Sequence, residues 1–365
     1  MLKYISLFSG GFGLDLGIEQ AAYKSNVQID LRVCLDISLA ARETIRLNRP
    51  SLNVIGDNEG DFGGDLYQIN SNLILQRANL AIKEADLVVG GPPCQSFSIL
   101  GNRQGFEDPR GNLMLEFVRV VREIQPKCFV MENVAGFLSV DKGKSYQKVI
   151  DLFTEAGYLN TLTWVLDAVN FGVPQFRRRV FIIGFREGME VRGLVPPDST
   201  YFPPDAIGNN RNGLIYRCVR DVLENMPDGL ANNERRIHSE RVRTRYEQLV
   251  QGARDRIDHT DRLAWDRPSG TVLVGSTRGG GRPFIHPFEP RHLTVREAAR
   301  LQGFPDDWVF AGNQTDQYRQ VGNAIPPLLS EVVTRQIIAF LTQENPNPNE
   351  ETLETNENLL LEMAK

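Results

Sequence analysis

Four short apolar segments constrain the fold of this chain most, because each ends in, or is followed within two residues by, a glycine or an acidic residue. They lie at residues 2–8 (LKYISLF), 31–36 (LRVCLD), 86–90 (DLVVG) and 128–132 (CFVME), and are predicted to be buried strands. Helical patterns such as residues 113–124 separate them. This alternation predicts an α/β fold with a doubly wound, mostly parallel sheet. Ligands of such sheets bind at the carboxyl ends of the strands, so we expect the functional residues there.

The second half of the chain has a different character. Residues 186–290 contain many Gly, Pro, Asn and Arg residues and little regular periodicity. With a length of 365 residues, this predicts two domains. We expect a larger domain at 1–187, a smaller irregular domain at 188–317 and a segment at 318–342 that returns to the first domain. The Asn-, Pro- and Glu-rich tail at 343–365 is predicted to be disordered.

Two helices are predicted in the C-terminal part of the chain. Residues 294–302 (TVREAARLQ) combine an amphipathic pattern with Thr294 as the N-cap and Glu297 at the capping-box spacing. An apolar helix is expected from Pro327 to Leu341. No apolar run approaches the length that spans a bilayer, and the N-terminus lacks the pattern of a signal peptide. We therefore expect a cytoplasmic protein without membrane association.

The net charge of −5 does not exclude a nucleic-acid partner. Residues 343–365 contain six glutamates and one lysine, which accounts for the whole excess. A local basic surface is sufficient for binding a polyanion. The cysteines, Cys34, Cys94, Cys128 and Cys218, are widely spaced and form no CxxC pair. Neither a disulfide framework nor a metal site is expected, and reduced thiols are.

A glycine-containing loop, residues 8–13 (FSGGFG), follows the first predicted strand. Glycines allow the backbone to approach a ligand closely. By itself the loop fits a dinucleotide site, a nucleoside site or a simple tight turn. Asp36 ends the second predicted strand, where an acid can bind the two hydroxyls of a ribose. A solvated carboxylate at a strand end is the alternative for Asp36.

The segment GPPCQSFS at residues 91–98 follows the third predicted strand. Two prolines fix the backbone directly before Cys94. A lone cysteine is most often a small buried hydrophobe, but that role does not explain a rigid turn that lifts the thiol out of the sheet. Nor does it explain Glu132 and Asn133, which are polar residues at the end of an adjacent strand. We therefore predict a reactive Cys94.

A third cluster is QFRRRVFI at residues 175–182. Strand alternation places Gln175, Arg177 and Arg179 on one face. Arginines at the start of a buried strand are costly unless they are paired. The alternative is an edge strand with a solvated basic face.

Together these motifs resemble the DNA (cytosine-5) methyltransferase family of the prokaryotic restriction-modification type. The similarity covers residues 4–340, with the motifs in the family's order. The matching segments are the Phe-x-Gly loop at Phe8, Pro-Pro-Cys-Gln at 92–95, Glu-Asn-Val at 132–134, Gln-x-Arg-x-Arg at 175–179, Arg-x-x-Thr-x-Arg-Glu at 291–297 and Gly-Asn at 322–323. The resemblance implies a Rossmann-like fold that binds S-adenosylmethionine, with residues 188–317 as a target-recognition domain.

Two departures from the family pattern concern the cofactor loops. Phe12 stands where the family usually has the first glycine of a closing pair, so a different backbone path is expected. The family's Gly-Asp-hydrophobic triplet fits Gly64, Asp65 and Leu66, but residues 56–57 are also Gly-Asp. We assign the triplet to Asp65, because a predicted helix and then the third strand follow at a suitable distance.

The resemblance assigns the chemistry as follows. The Cys94 thiolate adds to carbon 6 of cytosine, which makes carbon 5 nucleophilic enough to accept a methyl group. Glu132 holds or protonates ring nitrogen 3. Arg179 binds the carbonyl oxygen at position 2, and Arg177 supports the thiolate and nearby phosphates. The base that removes the carbon 5 proton is left open, with water as one candidate.

The resemblance also implies a cofactor site over the glycine loop. Phe8 would pack on the adenine, Asp36 would bind the ribose and Asp65 the adenine amino group. Asn323 and Leu113 would line the methionine side. The full expected set is Phe8, Gly10, Gly13, Asp36, Ile37, Asp65, Leu66, Pro93, Leu113, Asn323 and Ile325.

The implied substrate is double-stranded DNA, with the target base flipped out of the helix. Residues 95–112 are expected to form a loop that closes over this base, and Leu100 is expected to fill the gap in the stack. A plain surface loop is the alternative. The expected DNA contacts are Gln95, Ser98, Leu100, Arg103, Arg110, Arg278 and Arg282. We expect a monomer, with a cognate restriction endonuclease that acts on the same site without binding the enzyme.

Three other functions compete with this interpretation. A tRNA cytosine-5 methyltransferase would share Cys94 and Glu132, but the long variable region rich in Arg and Gly favours DNA. A catalytically inactive DNA-binding relative is opposed by the presence of both residues. A nicotinamide oxidoreductase would use the glycine loop but leave the Pro-Pro-Cys-Gln segment without a purpose.

Overall fold

The structure is a computed structural model that describes residues 1–93, 112–189, 191–206, 213–273 and 284–342. Several predictions fall outside these ranges and stay predictions. They concern Cys94, the loop residues Gln95, Ser98, Leu100, Arg103 and Arg110, the pair Arg278 and Arg282, and the tail at 343–365.

A seven-stranded sheet organises the described chain. Its strands are β1 (Leu2–Leu7), β2 (Ile29–Leu35), β3 (Val54–Ile55), β4 (Leu87–Gly90), β5 (Cys128–Val134), β6 (Asn160–Asp167) and β7 (Arg178–Phe185). The spatial order is β3-β2-β1-β4-β5-β7-β6. The first five strands in this order are parallel, and β7 is antiparallel to both of its neighbours. The predicted fold class and all four predicted strands are confirmed.

Helices cover both faces of this sheet. The described α-helices are α1 (Gly13–Lys24), α2 (Leu39–Asn48), α3 (Ser71–Ala78), α4 (Asn112–Ile124), α5 (Lys144–Glu155), α6 (Arg220–Leu223), α7 (Glu240–Glu247), α8 (Val295–Gln302), α9 (Gln314–Asn323) and α10 (Pro327–Thr342). Strands β8 (Tyr201–Phe202) and β9 (Leu214–Ile215) form a small separate sheet. One face of β5 packs with α3, α4 and α5, and the other face with α1 and α10. This is the doubly wound arrangement.

Both predicted C-terminal helices are present. Thr294 caps α8, and Glu297 completes the capping box in the expected way. The stretch 314–342 is long and apolar enough to cross a membrane by composition, but 67% of its apolar window is buried inside the protein. Its close contact with α1 explains this composition, because a Cβ atom added to Gly17 would lie 2.4 Å from the Cβ atom of Ser330. The α10 helix is a core helix.

One hydrophobic cluster crosses the predicted domain boundaries. Phe12 and Leu16 of the first segment pack in the same cluster as Val295, Leu301 and Trp308. Parts of the region 188–317 therefore share a core with the glycine loop and α1. The division into domains stays a prediction, but α8 and the residues after it are packed directly on the larger unit.

Candidate active site

The glycine loop and Asp36 meet at the carboxyl end of β1 and β2. The Gly10 amide donates to Oδ2 of Asp36 at 2.8 Å, and the Ser38 amide donates to Oδ1 at 2.8 Å. Gly10 and Phe8 both have positive φ angles, 51° and 55°. The loop thus bends sharply out of β1 and ends against the half-buried carboxylate.

Asp36 is a half-buried carboxylate whose pKa is set by opposing effects. Burial raises the pKa of its carboxyl group, while the two backbone N–H donors and the nearby Arg42 oppose that rise. Each carboxylate oxygen accepts one of these backbone hydrogen bonds and keeps further acceptor capacity. Asp36 can therefore receive hydrogen bonds from a ligand with neighbouring hydroxyl groups.

Phe12 explains how the loop departs from the family pattern. It precedes α1 with a left-handed backbone (φ 70°) that favours glycine. Its ring is fully buried and stacks on Trp308, with ring centroids 5.4 Å apart and an interplanar angle of 8°. The loop keeps the left-handed conformation that glycine would supply, and the aromatic ring joins the core.

This arrangement predicts an unusual order of stabilities at position 12. Phe12→Ala should lower the free energy of unfolding by about 3–5 kcal/mol, because the buried ring is lost. Phe12→Gly should cost roughly 1 kcal/mol less, because glycine relieves the left-handed backbone. Chemical denaturation measures both. At Leu16, in the same cluster but inside α1, the alanine variant should be the more stable of the pair. If the alanine variant were the more stable one at position 12 as well, the left-handed backbone of Phe12 would not be the cause.

The junction between α9 and α10 lies directly against the glycine loop. A Cβ atom on Gly13 would stand 2.1 Å from the carbonyl oxygen of Ile325, so only glycine fits there. Asn323 is exposed beside this contact, and Ile325 is buried. The structure therefore brings together the Gly13, Asn323 and Ile325 positions that the sequence predicted for one site.

The two Gly-Asp pairs are distinguished by their surroundings. A Cβ atom on Gly64 would lie 2.3 Å from the Asp36 carbonyl oxygen, so Asp65 follows a turn that touches the end of β2. Asp65 is half-buried and accepts from the Tyr67 amide at 3.1 Å. Asp57 instead forms ion pairs with Arg42 and Arg46. These placements support the choice of Asp65 for the triplet.

The remaining predicted cofactor residues have different exposures. Ile37 is 68% exposed beside Asp36, which makes it an accessible apolar surface. Phe8, Pro93 and Leu113 are half-buried. Leu66 is 2% exposed, and its side chain packs in the core on the α4 side of the sheet.

Leu66 anchors the turn that carries Asp65. Its side chain faces the core, and its carbonyl oxygen accepts from Arg119 Nη2 at 3.1 Å. Its place among the cofactor-binding residues stays a prediction, and with the side chain in the core the contact would have to come from the backbone.

Glu132 and Arg179 form a buried ion pair at the end of β5. Arg179 Nε lies 2.8 Å from Glu132 Oε1, and both side chains are about one-tenth exposed (11% and 10%). Burial raises the pKa of Glu132, and Arg179 and then Arg177 oppose that rise. A Cβ atom on Gly91 would lie 3.0 Å from Glu132 Oε2. Oε2, the oxygen that the Arg179 Nε contact does not use, therefore lies next to the turn that leads to Cys94.

Arg177 has a setting that the sequence did not predict. It is 1% exposed, and its Nη atoms donate to the carbonyl oxygens of Val272 (3.1 Å), Gly322 (2.8 Å) and Ala324 (2.8 Å). Burial lowers the pKa of its guanidinium well below the usual value, and Arg179 lowers it further. This buried guanidinium holds backbone from two distant segments. The expected support of the thiolate and nearby phosphates by Arg177 stays a prediction.

The sequence analysis missed Gln302. This fully buried side chain donates from Nε2 to the Ala324 carbonyl oxygen at 2.6 Å, and its Oε1 accepts from Gln175 Nε2 at 2.5 Å. Gln175 Oε1 in turn accepts from the Val272 amide at 2.9 Å. The only sequence signal for Gln302 was its position as the last residue of the amphipathic helix α8. Gln302 links Gln175, just before strand β7, to the segment that carries Asn323.

Comparisons with known proteins show the family of this chain. A family model described as C-5 cytosine-specific DNA methylase matches residues 2–339. The chain is 35% identical over 367 residues to type II methyltransferase M1.HphI of Haemophilus parahaemolyticus, which covers 94% of this chain and 88% of that protein. It is 37% identical over 342 residues to M.NgoFVII of Neisseria gonorrhoeae, covering 89% and 83%.

Solved structures show the same architecture. An E. coli prophage-encoded protein described as a DNA modification methyltransferase superposes with a TM-score of 0.73 at 26% identity, covering 94% of this chain and 100% of that chain. S. pombe Dnmt2 superposes with a TM-score of 0.63 at 20% identity, covering 94% and 100%, and shows the fold alone. With the family match across nearly the whole chain, these findings identify the protein. The chain belongs to the C-5 cytosine-specific DNA methylase family and is a DNA cytosine-5 methyltransferase.

Proposed function

We propose that this enzyme transfers the methyl group of S-adenosylmethionine to carbon 5 of a cytosine that is flipped out of duplex DNA, with Cys94 as the covalent nucleophile. One observation carries the proposal. The buried Glu132–Arg179 pair opens towards the Gly91 turn that leads to Cys94. This pair lies on the same edge of the sheet as the glycine loop and Asp36.

The pair suits a cytosine ring. A carboxyl group with a raised pKa can share a proton with ring nitrogen 3, which draws electrons from carbon 6 and favours attack by a thiolate there. Arg179, which holds Glu132 through Nε, has further donors for the carbonyl oxygen at position 2. Addition of the Cys94 sulfur to carbon 6 then makes carbon 5 a nucleophile. Loss of the carbon 5 proton to a base restores the double bond and releases the thiolate.

The residues at the sheet edge fit S-adenosylmethionine, whose electrophilic methyl group supplies the transferred carbon. Half-buried Asp36 would accept from the ribose hydroxyls, and Asp65 from the adenine amino group. Exposed Ile37 gives an apolar surface next to Asp36 for the adenine ring. Asn323 and Leu113 would lie towards the amino acid end, near the turn that precedes Cys94.

DNA is favoured over tRNA as the substrate by the two relatives named type II methyltransferases, which are 35% and 37% identical to this chain. We extend their type to this enzyme as a monomeric, cytoplasmic component of a restriction-modification system. It would protect sites that a separate endonuclease cleaves. Readout of the site is assigned to the region 188–317, including Arg278 and Arg282.

A direct experiment tests this function. The chain should be expressed in a bacterial host without cytosine methylation, and both DNA and tRNA should be sequenced for 5-methylcytosine. We expect modification of one cytosine within one short DNA sequence, and none when Cys94→Ser is expressed. Modification of tRNA alone, or of a different position on the base, would overturn the proposal.

A further inference from the structure

Arg42 of α2 is buried among backbone carbonyl groups next to the proposed cofactor site. Its side chain is 6% exposed. Nη1 donates to the carbonyl oxygens of Asp36 (2.9 Å), Ile37 (3.0 Å) and Gly63 (2.8 Å). These three oxygens belong to two separate loops. A single guanidinium therefore connects the loop after β2 to the turn that precedes Asp65.

The second Gly-Asp pair of the sequence serves this arginine. Asp57 Oδ1 accepts from Arg42 Nε at 2.9 Å. A Cβ atom on Gly56 would lie 2.7 Å from both Cδ and Nε of Arg42, and Gly56 has a φ of 128° that side chains rarely adopt. Gly56 leaves room for the guanidinium and Asp57 orients it. Both ends of the segment between the two Gly-Asp pairs, at Gly56–Asp57 and at Gly63, thus contact Arg42.

Arg42 lies where it can set the distance between two ligand-binding carboxylates. Asp36 and the turn before Asp65 are in backbone contact, since a Cβ atom on Gly64 would meet the Asp36 carbonyl oxygen at 2.3 Å. The Arg42 guanidinium lies beside this contact and donates to both loops. It also opposes the burial-induced rise in the Asp36 pKa by its charge.

We propose that Arg42 is a positioning residue for the nucleoside part of the cofactor. It would hold Asp36 and Asp65 at the separation that one nucleoside spans, without touching the ligand itself. The inference rests on the proposed function, because it takes S-adenosylmethionine as the ligand of this edge. Lysine is a poor substitute, since its compact ammonium group cannot present the planar fork that reaches both loops and Asp57.

The test uses Arg42→Lys and Arg42→Gln in the full-length enzyme. Calorimetry measures the Kd for S-adenosylhomocysteine, and steady-state assays give kcat and the KM values for S-adenosylmethionine and DNA. We expect the Kd for S-adenosylhomocysteine and the KM for S-adenosylmethionine to rise about tenfold, the effect of losing hydrogen bonds from a charged group. The DNA KM and kcat at saturating cofactor should stay within about twofold. A variant whose only defect is reduced stability would have a lower Tm, but its KM for S-adenosylmethionine would not rise relative to its KM for DNA.

Arg46→Gln is the matched control. Arg46 pairs with the same Asp57 and lies one turn further along α2, but the described contacts do not join it to the Asp36 loop or to Gly63. Its cofactor affinity should equal that of the wild type. Asp57→Asn should weaken cofactor binding less than Arg42→Gln, because the carbonyl contacts remain. It also provides the measurement if Arg42→Gln does not fold.

The outcomes separate the two proposals. If the wild-type enzyme does not bind S-adenosylhomocysteine, the proposed function fails and the inference fails with it. If the Arg42 and Asp57 variants bind S-adenosylhomocysteine as tightly as the wild type does, the role of Arg42 is overturned while the proposed function stands. Equal weakening by Arg46→Gln would also overturn it, because the effect would then come from charge near Asp57.

Discussion

Replacement of Cys94 by serine is expected to abolish methyl transfer while specific DNA binding persists. A serine hydroxyl is far less acidic and less nucleophilic than a thiol, so the covalent step at carbon 6 stops. We expect the activity to fall by at least about 10³-fold, the size of loss that follows when the nucleophile of an enzyme is removed. Single-turnover methylation measures the first effect, and a gel-shift titration with site-containing DNA measures the second.

The other cysteines support Cys94 as the nucleophile. Burial raises the pKa of the Cys34 and Cys128 thiols, and both side chains are enclosed in the core. Burial and Asp221 also raise the pKa of Cys218, whose side chain is half-buried. Cys218 is far along the chain from the strands that form the proposed site. None of these thiols is poised to ionise. Cys218→Ser is therefore the matched control and should retain full activity; substantial turnover by Cys94→Ser would contradict the covalent mechanism.

Local sequence signals predicted the regular elements well. The four apolar segments became the parallel strands β1, β2, β4 and β5, and Thr294 and Glu297 form the capping box. These predictions succeed because their causes lie within a few residues. Strand β3 has only two residues and pairs along its length with β2, so its existence depends on the neighbouring strand. No local pattern could have predicted it.

The buried side chains that hold the site together were harder to predict. Alternation correctly placed Gln175, Arg177 and Arg179 on one face, with Phe176 and Arg178 exposed between them. The partners of Arg177 were missed, because it binds carbonyl groups about a hundred residues or more away along the chain, at Val272, Gly322 and Ala324. A backbone carbonyl has no sequence signature, and the same reason hid the roles of Arg42 and Gln302.

The domain prediction was limited by the same lack of long-range information. The irregular composition of residues 186–290 indicated a separate unit, but Val219 and Phe284 share a hydrophobic cluster with Phe12 of the glycine loop. Composition reports that a segment is poor in regular structure. It does not report which core its few apolar residues join.

Glu132→Gln is expected to lower kcat by about 10²–10⁴-fold, the usual effect of removing a general acid. Glutamine preserves the shape of the side chain and can still hydrogen-bond to ring nitrogen 3, but it cannot deliver a proton. Cofactor binding should be unchanged, because the proposed contacts with Asp36 and Asp65 lie elsewhere on the edge. Stopped-flow or quench measurement of a single turnover, together with the Kd for S-adenosylhomocysteine, checks both parts.

The pH dependence identifies the proton donor. Burial raises the pKa of Glu132, so the protonated form persists to higher pH than in an exposed glutamate. If that form is active, the rate falls as the pH rises through this raised pKa, and an alkaline limb appears in the profile. Glu132→Gln should remove the limb. A profile of unchanged shape would show that another group delivers the proton.

The Arg179→Ala variant tests whether the ion pair between Glu132 and Arg179 contributes to catalysis. Arg179→Ala removes a cation that lowers the pKa of Glu132, so the alkaline limb should shift to higher pH. The rate should also fall, because the donors to the carbonyl oxygen at position 2 are lost. Arg178→Ala is the control: Arg178 is the adjacent arginine, exposed at the start of β7, and its loss should leave both rate and profile unchanged. The double variant Glu132→Gln/Arg179→Ala should be slower than Glu132→Gln alone, but by less than the product of the two single losses, because Arg179 acts partly through its ion pair with Glu132. Fully additive losses would show instead that the ion pair adds nothing to the two separate contacts with the base.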